Sequence, residues 1–266
     1  MPLTDPAREL AATIELVVAG QNDALVSDSI AKAAEVQVWS REFFQIIFEI
    51  LKRFDFVSNE ISKLPLDEDV KDQALKSVRT MRSVFASKTL MNHKIQQVNN
   101  TLSATNTTIL KMLSAQVREN VSYEVLSSED RENLVNDVSE LILWLQNIQS
   151  EDKDFIREAL IEGLSNFLFR LDRLEWFGSG YTIQSLKEVI GAYLALQGIA
   201  ATDDGNELIT AMMMKTKALV LRAFELLKVA KDVSDTAGWG LKAYGAISLI
   251  GDGSATISGL LGGVGS

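Results

Sequence analysis

The chain has three prolines, Pro2, Pro6 and Pro65, and none in residues 66–266. Proline removes a backbone donor and clashes with the preceding turn, so a proline-free stretch this long is open to long helices. Apolar residues recur through it at the three- and four-residue spacing of a helix face. Strand signals are poor: Asp204-Gly205 and Asp252-Gly253 can turn, but neither Asp-Gly is followed by alternating apolar residues. The expected fold is all-α, an elongated helical bundle. Long N-terminal helices fill residues 1–125, a compact three-helix unit fills 126–200, and an amphipathic helix with a Gly-rich apolar tail fills 201–266. These three stretches could equally form one continuous domain. With 47% hydrophobic residues there is material for a large core.

The pattern predicts a first helix over Ala7–Ala19, stopped at Gly20, and a second, long one from about Asp28 to Lys63. The second carries Ile30, Ala34, Val38, Phe44, Ile47, Leu51, Phe54 and Ile61 near one face and ends before Pro65. Asp67-Glu68-Asp69 places acids in a first turn, where the helix dipole favours them, ahead of a stripe of Val70, Ala74, Val78, Met81 and Phe85. Residues 92–120 carry a narrow stripe (Ile95, Val98, Leu102, Ile109, Leu113, Val117), with a break expected between Asn99 and Thr108. Ser127 and Ser128 before Glu129-Asp130, and Ser150 before Glu151-Asp152, mark two further starts. The second of these helices is expected to run to about Trp176. Residues 177–181 read as a tight connection, its aromatics Trp176, Phe177 and Tyr181 pinned in the core, and Thr182 as the next cap.

The absence of cysteine excludes disulfides, thiolate nucleophiles and cysteine metal sites. A net charge of −10 disfavours nucleic acid, whose phosphates are gripped by clustered Lys and Arg. That charge is uneven: residues 211–266 carry six bases and four acids, hence +2, which leaves −12 for residues 1–210. Asp5 and Glu9 precede the first apolar run with no basic leader, unlike a signal peptide, so a cytoplasmic chain is expected.

Catalytic patterns are sparse. The single histidine, His93, lies between Asn92 and Lys94 and reads as a solvated surface residue, and one histidine cannot furnish a multi-histidine metal site. Di-iron bundles need Glu-x-x-His on two helices, and helical ribonucleases of the HEPN class need an arginine a few residues before the histidine; Arg82 is eleven residues away. Asp203-Asp204-Gly205-Asn206-Glu207 resembles the Asp-Asp-x-x-Asp/Glu motif by which all-α terpenoid synthases hold magnesium and diphosphate. Gly205 and Asn206 favour a turn, however, and Thr202 or Asp203 reads as an N-cap for the following helix. Gly178-Ser179-Gly180 lacks the Gly-Lys-Ser/Thr ending of a phosphate loop. No cofactor and no metal is expected.

The last segments carry the functional reading. Residues 211–231, taken as a helix, put Met212, Leu219, Val220, Ala223, Leu226, Leu227 and Ala230 on one half, and Lys215, Lys217, Arg222, Glu225, Lys228 and Lys231 mostly on the other. Such a helix can lie at an anionic interface, or bury its apolar half in its own bundle. Trp239 and Tyr244 beside Lys242 suit a membrane-interface belt. Residues 243–266 then hold one charged side chain, Asp252, and seven of the sixteen glycines among apolar residues that include Ile247, Leu249, Ile250, Leu260 and Leu261. Asp252 near the middle costs about 2.5–3.5 kcal/mol on insertion, which favours a two-legged hairpin over a constitutive span.

This layout resembles helical pore-forming proteins that shelter an apolar hairpin. The resemblance implies a conditional membrane-associating effector or toxin, contacting an anionic membrane through Lys215, Lys217, Arg222, Lys228, Lys231, Trp239, Tyr244, Ile247, Leu249, Ile250, Leu260 and Leu261. The alternative is a non-enzymatic interaction protein or homo-oligomer whose tail fills a groove on a protein partner. An enzyme using Asp203, Asp204 and Glu207 is the third reading.

Overall fold

Asp5 shows how the fold begins. It is fully buried, and its carboxylate caps the first helix by accepting from the amides of Ala7 at 3.1 Å and Arg8 at 3.0 Å. Pro6, with φ already set for a helix, fills the first helical position. The second carboxylate oxygen accepts from the Ser114 hydroxyl and from Arg118 at 3.2 Å. One buried acid thus starts one helix and ties another to it.

The computed structural model describes residues 2–148, 154–200, 207–227 and 229–232. Among them are twelve helices and three short strands, an all-α protein with almost no sheet. The chain divides into two compact units, the first formed by residues 1–123 and 173–178, the second by 124–172 and 179–266.

The first unit contains β1 (Leu3–Thr4), α1 (Pro6–Val18), α2 (Val26–Ala33), α3 (Arg41–Lys63), α4 (Glu68–Val84), α5 (Ser87–Asn92), α6 (Ile95–Val98), α7 (Ala104–Asn120) and β2 (Val121–Glu124). The short helix α10 (Leu174–Phe177) belongs to it as well. β1 pairs with β2, α1 packs on α7 and α3, and α3 packs on α4. Leu10, Ile14, Ile46, Ile50, Phe54 and Ile61 are fully buried between them.

Three sequence expectations for this unit are corrected. Residues 28–63 do not form one rod: α2 ends at Ala33 and α3 starts at Arg41. Glu35 closes α2 in the left-handed region (φ 54°), with Val36 N–H donating to Ala31 and Glu35 N–H to Lys32, a Schellman ending that normally selects glycine. Ser40 then restarts the chain, accepting from Phe43 N–H at 3.1 Å. The restart sets a new phase, burying Phe43, Ile46, Ile50 and Phe54 while Phe44 stands outside the core stripe expected for it. Val70 is likewise exposed, in the first turn of α4, although Ala74, Val78, Met81 and Phe85 are buried.

The segment 173–178 is fastened to the unit by Arg53, which is buried on α3. Its guanidinium donates to the carbonyls of Trp176 at 2.7 Å and Glu175 at 3.3 Å and to the Thr13 hydroxyl at 2.9 Å. Thr13 in turn donates to the Glu175 carbonyl at 2.6 Å. Arg173 reaches the C-terminal carbonyl of α2, Ala34, at 2.8 Å. Trp176 and Phe177 are buried at this corner, and Tyr181 is half-buried. Gly178 turns the chain with φ 76°, and a Cβ there would fall 2.7 Å from a Glu9 carboxylate oxygen.

The second unit is a ring of four helices: α8 (Ser128–Asn147), α9 (Asp154–Asp172), α11 (Ser179–Ala200) and α12 (Glu207–Leu226), each packed on its neighbours in the ring, followed by β3 (Val229–Asp232). Ser127 caps α8 through Asp130 N–H. Gly163 lets α9 approach α11 closely, since a Cβ there would meet the Val189 amide at 3.0 Å. The helix expected to reach Trp176 stops at Asp172, because Arg173 departs from helical backbone (φ −123°, ψ 40°) before α10. Gly178 alone makes the next turn, so α11 starts at Ser179 and Thr182 lies inside it rather than at its cap. The start expected at Ser150 lies outside the described residues.

Candidate functional site

α12 brings together part of the expected contact set. Ile209, Met212, Thr216, Leu219, Val220 and Ala223 are buried along it, and Leu227 just beyond its end. Most of its apolar half is therefore covered by its own bundle, against α11 and α8, with Leu226 half-buried and Ala230 lying beyond the helix in β3. The helix ends at Leu226 rather than Lys231; Lys231 lies in β3, whose Val229 is β-branched and at ease in extended backbone. Lys228, Trp239, Tyr244, Ile247, Leu249, Ile250, Leu260 and Leu261 lie outside the described residues, as do Asp203 and Asp204. Glu207 is the first residue of α12, where an acid complements the helix dipole.

Two of the basic residues meet α8 across an open groove of about 460 Å³. Lys215 holds its ammonium 5.1 Å from the centre of the Trp144 ring. Arg222 forms an ion pair with Asp137. The two partners on each helix are seven positions apart, in opposite order, so α8 and α12 run antiparallel here. Glu140, Leu141, Ala218 and Leu219 complete the lining, while Lys217 is half-buried outside it. A cation over an exposed ring contributes about 0.5–1 kcal/mol and a surface ion pair about 0–1 kcal/mol. Contacts that weak hold the basic side chains at the bundle surface without committing them to it. The groove presents charge of both signs and one indole face. No hydroxyl side chain and no histidine is among its lining residues.

Elsewhere, His93 is exposed, and its carbonyl accepts from Val26 N–H at 3.0 Å in a short bridge between residues 25 and 94. No group of three or more His, Asp or Glu that could hold a metal occurs among the described residues.

A second surface feature escaped sequence reasoning. Trp39, Phe44 and Phe48 are exposed at the start of α3. Trp39 has φ 64° and sets its ring edge-on to Phe43, centroids 5.2 Å apart, and 5.9 Å from Phe44. Trp39 and Phe44 flank the Ser40 cap at the positions of a hydrophobic staple, which was the available signal. Glu42, in the same first turn, has its carboxyl held below the usual range by backbone and Ser40 hydrogen bonds, with Arg41 and Arg173 adding attraction.

Comparison of the chain with known protein families, curated proteins and solved structures finds no match. Among the described residues no helix is long and apolar enough to cross a membrane.

Proposed function

We propose that this chain is a non-enzymatic helical protein that associates conditionally with anionic membranes through its C-terminal segment. The observation that carries the reading is the composition of residues 243–266, with one charged side chain, Asp252, preceded by Trp239, Lys242 and Tyr244. The geometry of α12 narrows the mechanism. Because its apolar half is buried in the second unit, α12 contributes charge rather than insertion. Lys215, Lys217 and Arg222 make the first electrostatic contact, and Ile247, Leu249, Ile250, Leu260 and Leu261 supply apolar burial. A conditional effector, of pore-forming or membrane-perturbing type, uses that division between a folded acidic body and an apolar end.

The test is flotation of the whole chain with phosphatidylserine-containing vesicles beside a chain ending at Asp235 and a Leu260→Asp/Leu261→Asp variant. The whole chain floats and both altered chains stay behind; equal flotation of all three, or none, would sink the proposal. The buried half of α12 favours a second reading, since it needs no bilayer to cover it. In that reading the C-terminal segment fills a groove on a protein partner or a second copy. Loss of a defined complex in the Leu260→Asp/Leu261→Asp variant, without vesicle binding by any chain, identifies it.

A further inference from the structure

The outward face of α3 has an order that neither its cap nor the core explains. Arg41, Phe44, Phe48 and Lys52 follow one another at helical spacing and are all exposed, Phe44 by 41% and Phe48 by 61%. Trp39, 39% exposed, extends the apolar strip past the helix start. The staple explains why Trp39 meets Phe44. It does not explain Phe48, one turn further on, nor why a tryptophan is kept outward in left-handed backbone that disfavours bulky side chains.

Size and charge narrow the occupant. With aromatic side chains of roughly 150–250 Å² each, the exposed fractions amount to about 300 Å². A stable protein interface needs about 800 Å² per partner, so two folded copies joined here would be held too weakly. A patch of about 300–600 Å² on a monomer is commonly functional. Arg41 stands between Trp39 and Phe44, Lys52 follows one turn beyond Phe48, and three acids share this stretch of the helix. Asp55 is paired with Arg82 at 2.9 and 3.1 Å, and Glu42 is stabilised by hydrogen bonds at its own helix start. Glu49 is buried 3.4 Å from the Lys52 ammonium. Rings that enter the boundary between headgroups and acyl chains, with Arg41 reaching a phosphate and the largely exposed Lys52 ammonium sharing itself between Glu49 and a phosphate, fit this order.

We propose that the face formed by Trp39, Phe44 and Phe48, flanked by Arg41 and Lys52, is a second membrane-interface contact, carried by the folded first unit and seated on an anionic lipid surface. The proposal rests on the membrane reading above but concerns residues distinct from those of the C-terminal segment. The absence of cysteine makes the test clean, because a single introduced cysteine takes a polarity-sensitive fluorophore at one position. Full-length chains labelled at Phe48→Cys, Leu261→Cys and, as an exposed reference on α7, Gln116→Cys are mixed with vesicles of equal parts phosphatidylcholine and phosphatidylserine. The expected result is a blue shift at positions 48 and 261 and none at 116. Phe44→Ser/Phe48→Ser should lower vesicle partitioning at least tenfold while circular dichroism stays unchanged, since both side chains lie outside the core. A shift at 261 without one at 48 overturns this contact and leaves the C-terminal reading standing. Failure at both positions overturns both. A shift at 48 that grows with protein concentration in the absence of vesicles overturns the lipid assignment in favour of self-association.

Discussion

Replacing Arg53 by Met tests what holds residues 173–178 to the first unit. Methionine keeps an unbranched apolar stem but removes the donors that reach the Trp176 carbonyl at 2.7 Å, the Glu175 carbonyl at 3.3 Å and the Thr13 hydroxyl at 2.9 Å. Glu175 keeps Thr13 as a donor, so the Trp176 carbonyl bears most of the loss. A hydrogen bond to a charged group contributes about 1.5–3 kcal/mol, and an orphaned buried acceptor costs about 1–3 kcal/mol. Relief of the guanidinium's own desolvation offsets part of this. A net destabilisation of roughly 3–5 kcal/mol is expected from these contributions together. At roughly 2–4 °C per kcal/mol for a chain of this size, Tm falls by about 6–20 °C. Denaturant titration followed by circular dichroism measures the loss. Hydrogen exchange localises it, because the Phe177 and Gly178 amides, now bonded to Arg173 and Leu174, should exchange faster. Thr13→Val combined with Arg53→Met should be non-additive by about 0.5–3 kcal/mol, since both residues act on one carbonyl. A loss under about 1 kcal/mol, within the range of an ordinary neutral hydrogen bond, would refute the reasoning.

Gly178→Ala places a methyl 2.7 Å from a Glu9 oxygen at φ 76°, and thermal melting should show about 1–3 kcal/mol of destabilisation; an unchanged Tm would contradict the strain. Asp5→Ala removes the cap of α1 and leaves Ser114 and Arg118 without their acceptor, an expected loss of about 2–4 kcal/mol by denaturant titration. Burial raises the Tyr193 phenol above its usual 10.0, so the neutral form contributes stability that is present below pH 10 and lost as pH rises through the folded value. Tyr193→Phe should therefore lose less stability on the alkaline side, and equal alkaline slopes for the two chains would count against that sign.

Much of the helical order was legible because its signals are local. The acids at Glu68 and Asp69 and the Ser127 cap each act within one turn of where they stand, whereas α1 ends just before Gly20 without the left-handed backbone expected of that glycine. The break between α2 and α3 was not legible, because Glu35 and Trp39 occupy left-handed backbone where glycine or asparagine is the usual marker. Phe43 and Phe44 are adjacent and equally apolar, so periodicity alone could not say which faced inward. The cap at Ser40 decides it. For the candidate contacts, the amphipathic halves of α12 were legible, but the partners of Lys215 and Arg222 were not: Trp144 and Asp137 lie some seventy to eighty-five positions earlier, on another helix.

The first unit's chain is discontinuous, and this orders its synthesis. Residues 1–123 emerge first and already contain Arg53 and Thr13, yet the carbonyls that Arg53 holds belong to residues 175 and 176. At about 5–20 residues per second, a ribosome exposes a buried-to-be guanidinium for roughly 6–25 s before these two carbonyls exist. During that interval the donors that later reach those two carbonyls need other partners, water among them, while α8 and α9 are being made. Cutting the chain after residue 123 would prolong that unfinished state indefinitely.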